Sequence, residues 1–211
     1  MVGNWPNARG SSHSLRGFSL AMLWPPGYCK VKGICDRHKV KNEFTIHGLW
    51  PYTSSGQSPR IHRRYQYQYG WMSQGLKHQL AVDWPNYELG RSDESLWKHE
   101  WDAHGVITNN LFNQVNYFRR TLRLYQHYNI RDILSSCGII PSSYHLQTPR
   151  TFVTCIENRL GVNPNLICES HRGQAYLVEL RLCFNARAAT LIYCNHPTRQ
   201  CRTRSFIYKR F

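Results

Sequence analysis

Two histidine-containing segments hold the side chains of this chain best suited to acid–base chemistry. His47 lies in Phe-Thr-Ile-His-Gly-Leu-Trp-Pro (residues 44–51), and His104 lies in Lys-His-Glu-Trp-Asp-Ala-His-Gly (residues 98–105). Histidine is the side chain whose ordinary pKa lies nearest neutrality, so one imidazole can donate a proton while another accepts one. The two segments therefore predict an enzyme that works by general acid–base catalysis without a metal.

The spacing within the second segment predicts which side chains meet. If residues 93–104 form a helix, Glu100 and His104 share a face because they are four positions apart, and Glu100 would then hold and polarise His104. A zinc-protease motif needs two histidines four apart with a glutamate beside the first, whereas His99 and His104 are five apart. No Gly-x-Ser-x-Gly motif occurs, and the cysteines are expected to form disulfides. These features argue against a zinc protease and against a serine or cysteine nucleophile.

Two histidines and a carboxylate without a covalent nucleophile suit a substrate that carries its own nucleophile. RNA does so, because its 2′-hydroxyl lies beside the scissile phosphodiester and needs only a base to remove its proton, while an acid protonates the leaving 5′-oxygen. DNA lacks that hydroxyl and should resist cleavage. Because protonated histidine and cationic side chains can balance the charge of the phosphorane, we expect neither a metal nor another cofactor.

The charge and the cysteine content indicate a basic protein of an oxidising compartment. In 211 residues, 27 Lys+Arg and 12 Asp+Glu give a formal net charge of +15, which attracts polyanions such as nucleic acid, an anionic membrane or an acidic glycan. The 8 cysteines include no Cys-x-x-Cys pair and indicate disulfides. No stretch approaches the roughly 18 to 20 apolar residues of a membrane span. Since residues 1–17 lack the apolar run of a signal peptide, we expect a secreted or vacuolar protein whose signal peptide is absent from this chain.

Four predicted strands form part of the scaffold that must position the histidines. Each is a stretch of apolar or alternating residues, and they lie at residues 18–24, 44–46, 175–183 and 190–194. The first strand meets Pro25-Pro26-Gly27, which predicts a turn, and the Ser-, Gly- and Pro-rich residues 52–59 predict a surface loop. The last two strands alternate as a pair would.

Two helices are predicted between these strands. Residues 93–104 follow a capping residue, Ser92 or Asp93, and precede Gly105. Residues 108–128 carry apolar side chains at a helical period. Together with the strands, they predict a single α+β domain with an antiparallel sheet over residues 18–211, preceded by a flexible segment at residues 1–17.

Several stretches resemble the ribonuclease T2 family. Besides the two histidine segments, Leu-Trp-Pro-Pro-Gly-Tyr-Cys (23–29), Val-Asp-Trp-Pro (82–85) and residues 177–194 resemble the family's first strand, the element before its catalytic helix and its C-terminal strand pair. The resemblance covers about residues 18–201. It implies an α+β fold and an endoribonuclease that cleaves single-stranded RNA through a 2′,3′-cyclic phosphate, later opened to a 3′-phosphate.

Carried over position by position, the resemblance implies three catalytic residues. His47 would be the proton donor, His104 the proton acceptor and Glu100 a stabiliser of the transition state, with the two histidine roles reversed when the cyclic phosphate is opened. The substrate-binding set would comprise a phosphate contact, an indole that stacks on the base and two further helix positions, namely His99, Trp50, Lys98 and Leu96.

Two departures from the family pattern lie in the second segment. The family usually has a lysine immediately before the second catalytic histidine, and this chain has Ala103. Loss of one preorganised charge donor typically costs about 10²-fold to 10³-fold in rate. Unless Lys98 or an arginine substitutes, we therefore expect reduced activity, which Ala103→Lys should raise. Leu96 stands where an aromatic residue often sandwiches the base, so base preference should be loose.

The disulfide pattern is also implied by the resemblance. The chain lacks the cysteine pair that commonly links the regions following the two histidine segments. Eight cysteines by themselves allow 105 pairings. The family pattern implies Cys29–Cys35, Cys168–Cys201 and Cys183–Cys194, which leaves Cys137 and Cys155 to pair with each other.

Within the family, the basic charge resembles that of the S-ribonucleases of flowering-plant pistils. That resemblance implies a role in self-incompatibility, with single-stranded RNA as the substrate and pollen F-box proteins as further partners, and we expect a monomer with no membrane association. Two alternatives remain open. One is a catalytically weakened basic protein that binds RNA or a partner on the same fold, and the other is an S-like defence ribonuclease.

Overall fold

A seven-stranded sheet forms the centre of the fold in the computed structural model, which describes residues 15–56, 65–194 and 201–211. In chain order, its strands are β1 (Leu15–Leu23), β2 (Thr45–Thr53), β3 (Leu146–Gln147), β4 (Asn165–His171), β5 (Gln174–Asn185), β6 (Leu191–Ile192) and β7 (Phe206–Ile207). β1 lies between β2 and β5 and is antiparallel to both. β4 and β6 are antiparallel to β5, and β7 joins β5 in parallel. The predicted α+β class and the antiparallel sheet are confirmed.

Six α-helices surround the sheet in the described residues. They are α1 (Pro25–Lys32), α2 (Gln74–Asp83), α3 (Asp93–Glu100), α4 (Gln114–His127), α5 (Ile130–Ser136) and α6 (Pro149–Leu160). Short 3₁₀ turns form at Arg37–Lys39, Tyr69–Trp71 and Val106–Thr108, and a π-helical turn forms at Trp101–Gly105. No described helix is both long and apolar enough to cross a membrane.

The first strand and the turn after it differ from the prediction. β1 begins at Leu15, three residues before the predicted start of both the strand and the domain, and residues 1–14 of the predicted flexible segment lie outside the described residues. Pro25-Pro26-Gly27 opens α1 instead of forming a turn, because proline suits a first helical turn, where its missing N–H is not needed. A Cβ on Gly27 would lie 1.8 Å from the Leu177 carbonyl oxygen, so glycine allows α1 to pack closely on β5.

The second strand is longer than predicted. β2 runs to Thr53, and both Tyr52 and Thr53 are buried and paired with β1. The predicted surface loop therefore begins after Thr53, and residues 57–59 lie outside the described residues. Burial on both faces removed the polar alternation that would have marked these residues as strand.

The predicted start of the helix at residue 93 is confirmed, whereas its predicted end and the predicted limits of the next helix differ from the structure. Ser92 caps α3 by accepting a hydrogen bond from the Ser95 N–H (3.2 Å). Gly105 does not end the helical path, which continues through the π-helical turn into Val106–Thr108. α4 begins at Gln114 and not at residue 108, because the Asn113 side chain caps it by accepting from the Asn116 N–H (3.0 Å).

Large aromatic side chains fill the core between the sheet and the helices. Trp84, Trp101, Tyr117 and Phe118 are almost fully buried beneath β2. The structure contains the four disulfides implied by the resemblance, Cys29–Cys35, Cys137–Cys155, Cys168–Cys201 and Cys183–Cys194. Each closed loop typically contributes about 2 to 4 kcal/mol, mainly by restricting the unfolded chain. Cys183–Cys194 and Cys168–Cys201 thus fasten the strands β5 and β4 of the sheet.

Candidate active site

A β-bulge in β2 presents His47. The consecutive β1 residues Ala21 and Met22 pair with Gly48 and Ile46, so His47 between them has no partner across the ladder. Bulges of this kind bend a strand and re-aim a side chain, and they are frequent beside active sites. The His47 carbonyl accepts a hydrogen bond from the buried Trp84 indole N–H (2.9 Å). The bulge therefore leaves His47 without a paired residue on β1, while the hydrogen bond from Trp84 fixes its backbone.

His104 reaches the same indole, Trp50, from a helical segment. It lies on the π-helical turn Trp101–Gly105, a geometry that is uncommon and often found at functional sites. The ring of Trp50 lies against both histidines, with centroid distances of 4.9 Å to His47 and 5.3 Å to His104. The structure therefore brings the two histidine segments together around one indole.

Glu100 binds Trp50 and not His104. The Glu100 side chain is 2% exposed and its Oε2 accepts a hydrogen bond from the Trp50 indole N–H (2.8 Å). Within the described residues, His104 has no hydrogen bond to Glu100, and its buried Nδ1 has no partner. The prediction that Glu100 holds His104 is wrong, because it assumed α-helical spacing and the wider π-helical turn changes the direction of His104.

Gly48 is needed for this arrangement. A Cβ at position 48 would lie 2.2 Å from Glu100 Oε2 and 2.2 Å from Trp50 Nε1. Both distances are far shorter than any real carbon contact, so glycine is what allows Trp50 and Glu100 to meet over β2.

The other predicted substrate-binding residues lie along α3. His99 is exposed, whereas Leu96 is partly buried against the core. The ammonium group of Lys98, which is itself exposed, forms an ion pair with Asp102. An open groove of about 890 Å³ follows this face of the helix, and its lining includes Tyr65, Tyr67, Lys98, His99 and Ala103. Ala103 faces the groove, but its side chain brings no charge.

Two residues of the site were missed by the sequence reasoning, namely Glu179 and Arg181 on β5. His47 Nδ1 is hydrogen-bonded to Glu179 Oε2, and the Arg181 Nε–H donates to Glu179 Oε1 (2.5 Å). The Arg181 guanidinium carbon lies 4.6 Å from the centroid of the Trp50 ring. One signal could have found them, since two charged residues interrupt an otherwise apolar strand and charged side chains are rarely buried unless paired.

The surroundings of the two histidines move their pKa values in opposite directions. Burial disfavours the charged form of His47, but the charge and hydrogen bond of Glu179 outweigh it and raise the His47 pKa. For His104, burial and then the nearby charges of His99, His47 and Arg181 lower the pKa to about 4. Near neutrality the site therefore favours a protonated His47 beside a neutral His104.

The two carboxyl groups also differ. Burial raises the pKa of Glu179, but the charge and hydrogen bond of His47, with those of Arg181, outweigh burial and leave the pKa below its usual value. Burial raises the Glu100 pKa to about 7, against the opposing effects of His47 and Trp50. The surroundings of Glu179 thus favour its anionic form, whereas Glu100 has a pKa near neutrality. Interacting groups of this kind titrate together and not one by one.

This arrangement can remove a proton at one side of a bound phosphate and supply one at the other. About a third of the His47 side chain is exposed (36%), so a substrate atom can reach it. In the described residues, no group of three His, Cys, Asp or Glu side chains is arranged to hold a metal ion. The chemistry available to these side chains is proton transfer.

Comparison with known proteins places the chain in a family. The profile described as Ribonuclease T2 family matches residues 16–194. The chain is 33% identical to Ribonuclease S-2 of Pyrus pyrifolia over 191 residues, covering 87% of this chain and 83% of the relative. It is 29% identical to a ribonuclease-like storage protein of Panax ginseng over 192 residues, covering 90% and 80%. The crystal structure of the self-incompatibility associated SF11-RNase of Nicotiana alata has a TM-score of 0.82 and 26% identity, covering 93% of this chain and 100% of that one.

Proposed function

Because the chain belongs to the ribonuclease T2 family, we propose that it is an endoribonuclease that cleaves single-stranded RNA by metal-free acid–base transphosphorylation. The observation that carries this proposal is that two histidines from distant segments meet at Trp50. Their surroundings shift the pKa of His47 upward and that of His104 downward. A base must be neutral and an acid protonated at the same pH, and this pair meets that condition.

The reaction would proceed in two steps. Neutral His104 removes the proton of the 2′-hydroxyl, the 2′-oxygen attacks phosphorus, and protonated His47 donates a proton to the departing 5′-oxygen. The product is a 2′,3′-cyclic phosphate, and both histidines have then exchanged protonation states. In the second step His47 takes a proton from water, which attacks phosphorus, while His104 returns its proton to the 2′-oxygen. A 3′-phosphate is formed and the starting state is restored.

The remaining site residues would act on charge and position. Glu100, buried beside Trp50, would stabilise the phosphorane, and the Glu100 pKa of about 7 allows the neutral carboxyl to donate a hydrogen bond to a phosphoryl oxygen. His99 and Lys98 at the groove would contact phosphate. Stacking of a base on Trp50 and a loose base preference due to Leu96 stay predictions. The guanidinium group of Arg181 lies against the ring of Trp50.

A gel assay tests the proposed function. We expect the protein to cleave single-stranded RNA in excess EDTA and to leave DNA of the same sequence intact, because only RNA carries the 2′-hydroxyl. The early products should end in a 2′,3′-cyclic phosphate, which mass spectrometry of the fragments would detect. Cleavage that stops in EDTA and returns with added metal would contradict the mechanism.

The pH dependence of RNA cleavage should be dominated by the two histidines, with Glu100, whose pKa is raised to about 7, contributing to the alkaline limb. The rate should rise as pH increases through about 4, where His104 loses its proton, and fall as pH increases beyond the raised pKa of His47, above the usual histidine value of 6.5. Steady-state kcat/KM on a ribodinucleoside monophosphate, measured from acid to alkaline pH, reports these free-enzyme values. Glu179→Gln should move the alkaline limb to lower pH, because the carboxylate that raises the His47 pKa is then lost. An acid limb near 6.5 would be inconsistent with this assignment.

Within the family, we propose a secreted S-ribonuclease that acts in self-incompatibility and is recognised by pollen F-box proteins. The net charge of +15 and the four disulfides support this class. Transcript levels in pistil, leaf and root separate it from an S-like defence ribonuclease, since restriction to the pistil is expected only for the former.

Ala103 favours a second candidate, a catalytically weakened basic protein on the same fold. One relative carries the name ribonuclease-like storage protein, and this chain has an alanine where the family usually has the lysine. This candidate predicts RNA binding that weakens steeply with salt, because phosphate contacts release counterions, but no turnover. The same gel assay, run beside a binding measurement at two salt concentrations, distinguishes the candidates.

A further inference from the structure

The position immediately before His104, residue 103, carries no positive charge. Ala103 contributes none, and the ion pair of Lys98 with Asp102 is neutral as a unit and largely exposed, with side-chain exposures of 59% and 41%. Exposed pairs of this kind contribute little, because solvent screens them. A phosphorane gains negative charge as it forms, so a preorganised cation is the part of the apparatus that is missing at position 103.

Arg181 brings a cation to the same place from the sheet. Its guanidinium lies 4.6 Å from the centroid of Trp50, the ring that both His47 and His104 contact. Only 18% of its side chain is exposed, so its charge is less screened than that of Lys98. The charge of Arg181 is also felt at His104, where it opposes protonation. Both reacting groups are therefore within the field of this one guanidinium.

Glu179 fixes the position of Arg181 without neutralising the site. Its carboxylate, in a side chain only 5% exposed, is shared between Arg181 and His47. When His47 is protonated, these three groups carry a net positive charge, whereas Lys98 and Asp102 carry none. Within the described part of the chain, Glu179 is the one hydrogen-bond acceptor of the Arg181 side chain. Its remaining N–H groups form the planar fork that suits two oxygens of a phosphate.

We propose that Arg181 is a catalytic residue that binds the non-bridging oxygens of the reacting phosphate and replaces the cation absent at Ala103, and that Glu179 is the positioning residue that aims both Arg181 and His47. This inference rests on the proposed ribonuclease function. It assigns the charge support of the reaction to a residue of β5 and not to the helical segment that carries His104.

The test begins with Arg181→Gln, Arg181→Lys and the control Arg187→Gln. Arg187 is exposed in the turn between β5 and β6, so its replacement removes the same charge outside the site. Arg181→Gln should lower kcat on a ribodinucleoside monophosphate by about 10²-fold to 10³-fold, the usual cost of one preorganised donor. It should also weaken competitive inhibition by inorganic phosphate. Arg181→Lys should restore part of both, and Arg187→Gln should leave both unchanged. An Arg181→Gln enzyme with wild-type kcat would overturn the proposal.

Ala103→Lys provides a second arm that does not depend on the stability of one variant. Introduced into Arg181→Gln, the lysine should recover a larger factor in kcat than it adds to the wild type, because in the wild type Arg181 already supplies the charge. Equal factors in the two backgrounds would mean that Arg181 does not perform this task. Residues in one charge network are expected to show such coupling, whereas independent residues are additive.

The acid limb of the pH profile gives a readout that a purely structural role would not move. Without the Arg181 charge, the pKa of His104 should rise, so the acid limb of kcat/KM should shift to higher pH in Arg181→Gln and stay in place in Arg187→Gln. Failure of the inference is distinguishable from failure of the proposed function. The function fails if wild-type protein does not cleave RNA, whereas the inference fails if cleavage is intact and indifferent to Arg181.

Discussion

Replacing either His47 or His104 by alanine should nearly abolish RNA cleavage. General acid or base catalysis by one positioned group usually contributes about 10²-fold to 10⁴-fold, and we expect losses in kcat of that size for each variant. The double variant should be little slower than the single ones, because the acid and the base act as a unit and their effects are not additive. Rates on a ribodinucleoside monophosphate measure these effects directly.

The losses should appear in kcat with little change in melting temperature. When His47 is replaced, the buried Glu179 keeps its ion pair with Arg181, and the buried Nδ1 of His104 has no partner in the described residues. His78→Ala is a matched control, since this histidine is exposed on α2. Full cleavage by either active-site variant, with His78→Ala as the reference, would remove that histidine from the mechanism.

The two variants should also differ in substrate dependence. His47→Ala removes the proposed donor to the leaving oxygen, so a substrate with a good leaving group, such as a uridine 3′-aryl phosphate, should recover much of its rate. His104→Ala removes the proposed base and should not be rescued in this way. Equal rescue of both variants would contradict the assignment of His47 as the acid and His104 as the base.

Trp84→Ala should be the most destabilising of the substitutions considered. Trp84 is fully buried and packs against Phe118 and Tyr117. Truncating a buried tryptophan typically costs about 3 to 5 kcal/mol, which corresponds to a fall in Tm of about 6 to 20 °C for a chain of this length. Thermal unfolding followed by circular dichroism, with the disulfides intact, measures the change.

Activity should fall with Trp84 for a separate reason. Its indole N–H donates to the His47 carbonyl (2.9 Å), and so helps to hold the bulge that presents the imidazole. Trp84→Phe should keep much of the packing but lose that hydrogen bond, giving a smaller change in Tm with a clear loss of kcat. Trp71→Ala is the matched control, because Trp71 is 61% exposed. A Trp84→Phe enzyme with wild-type kcat would show that the bulge does not need this bond.

Local signals explain why part of the fold was predictable. Ser92 caps α3 as expected, since a cap depends only on the few residues that follow it. The strand pair at the C-terminus was also recognisable, because β5 and β6 are close in sequence and alternate. The limits of β2 were not recognisable, because its last residues are buried by β1 and by the core, and no local pattern marks them.

The active site divides in the same way. The amino-acid sequence by itself indicated the proposed chemistry, since two histidines in distinctive segments, a nearby glutamate and the alanine at position 103 are matters of residue type and short spacing. Only the tertiary structure decided how these residues are used. The bulge at His47 arises from pairing with β1, the π-helical turn at His104 separates it from Glu100, and Glu179 reaches His47 from 132 residues away. Strand pairing and burial are long-range properties, and they set the protonation states that the sequence left open.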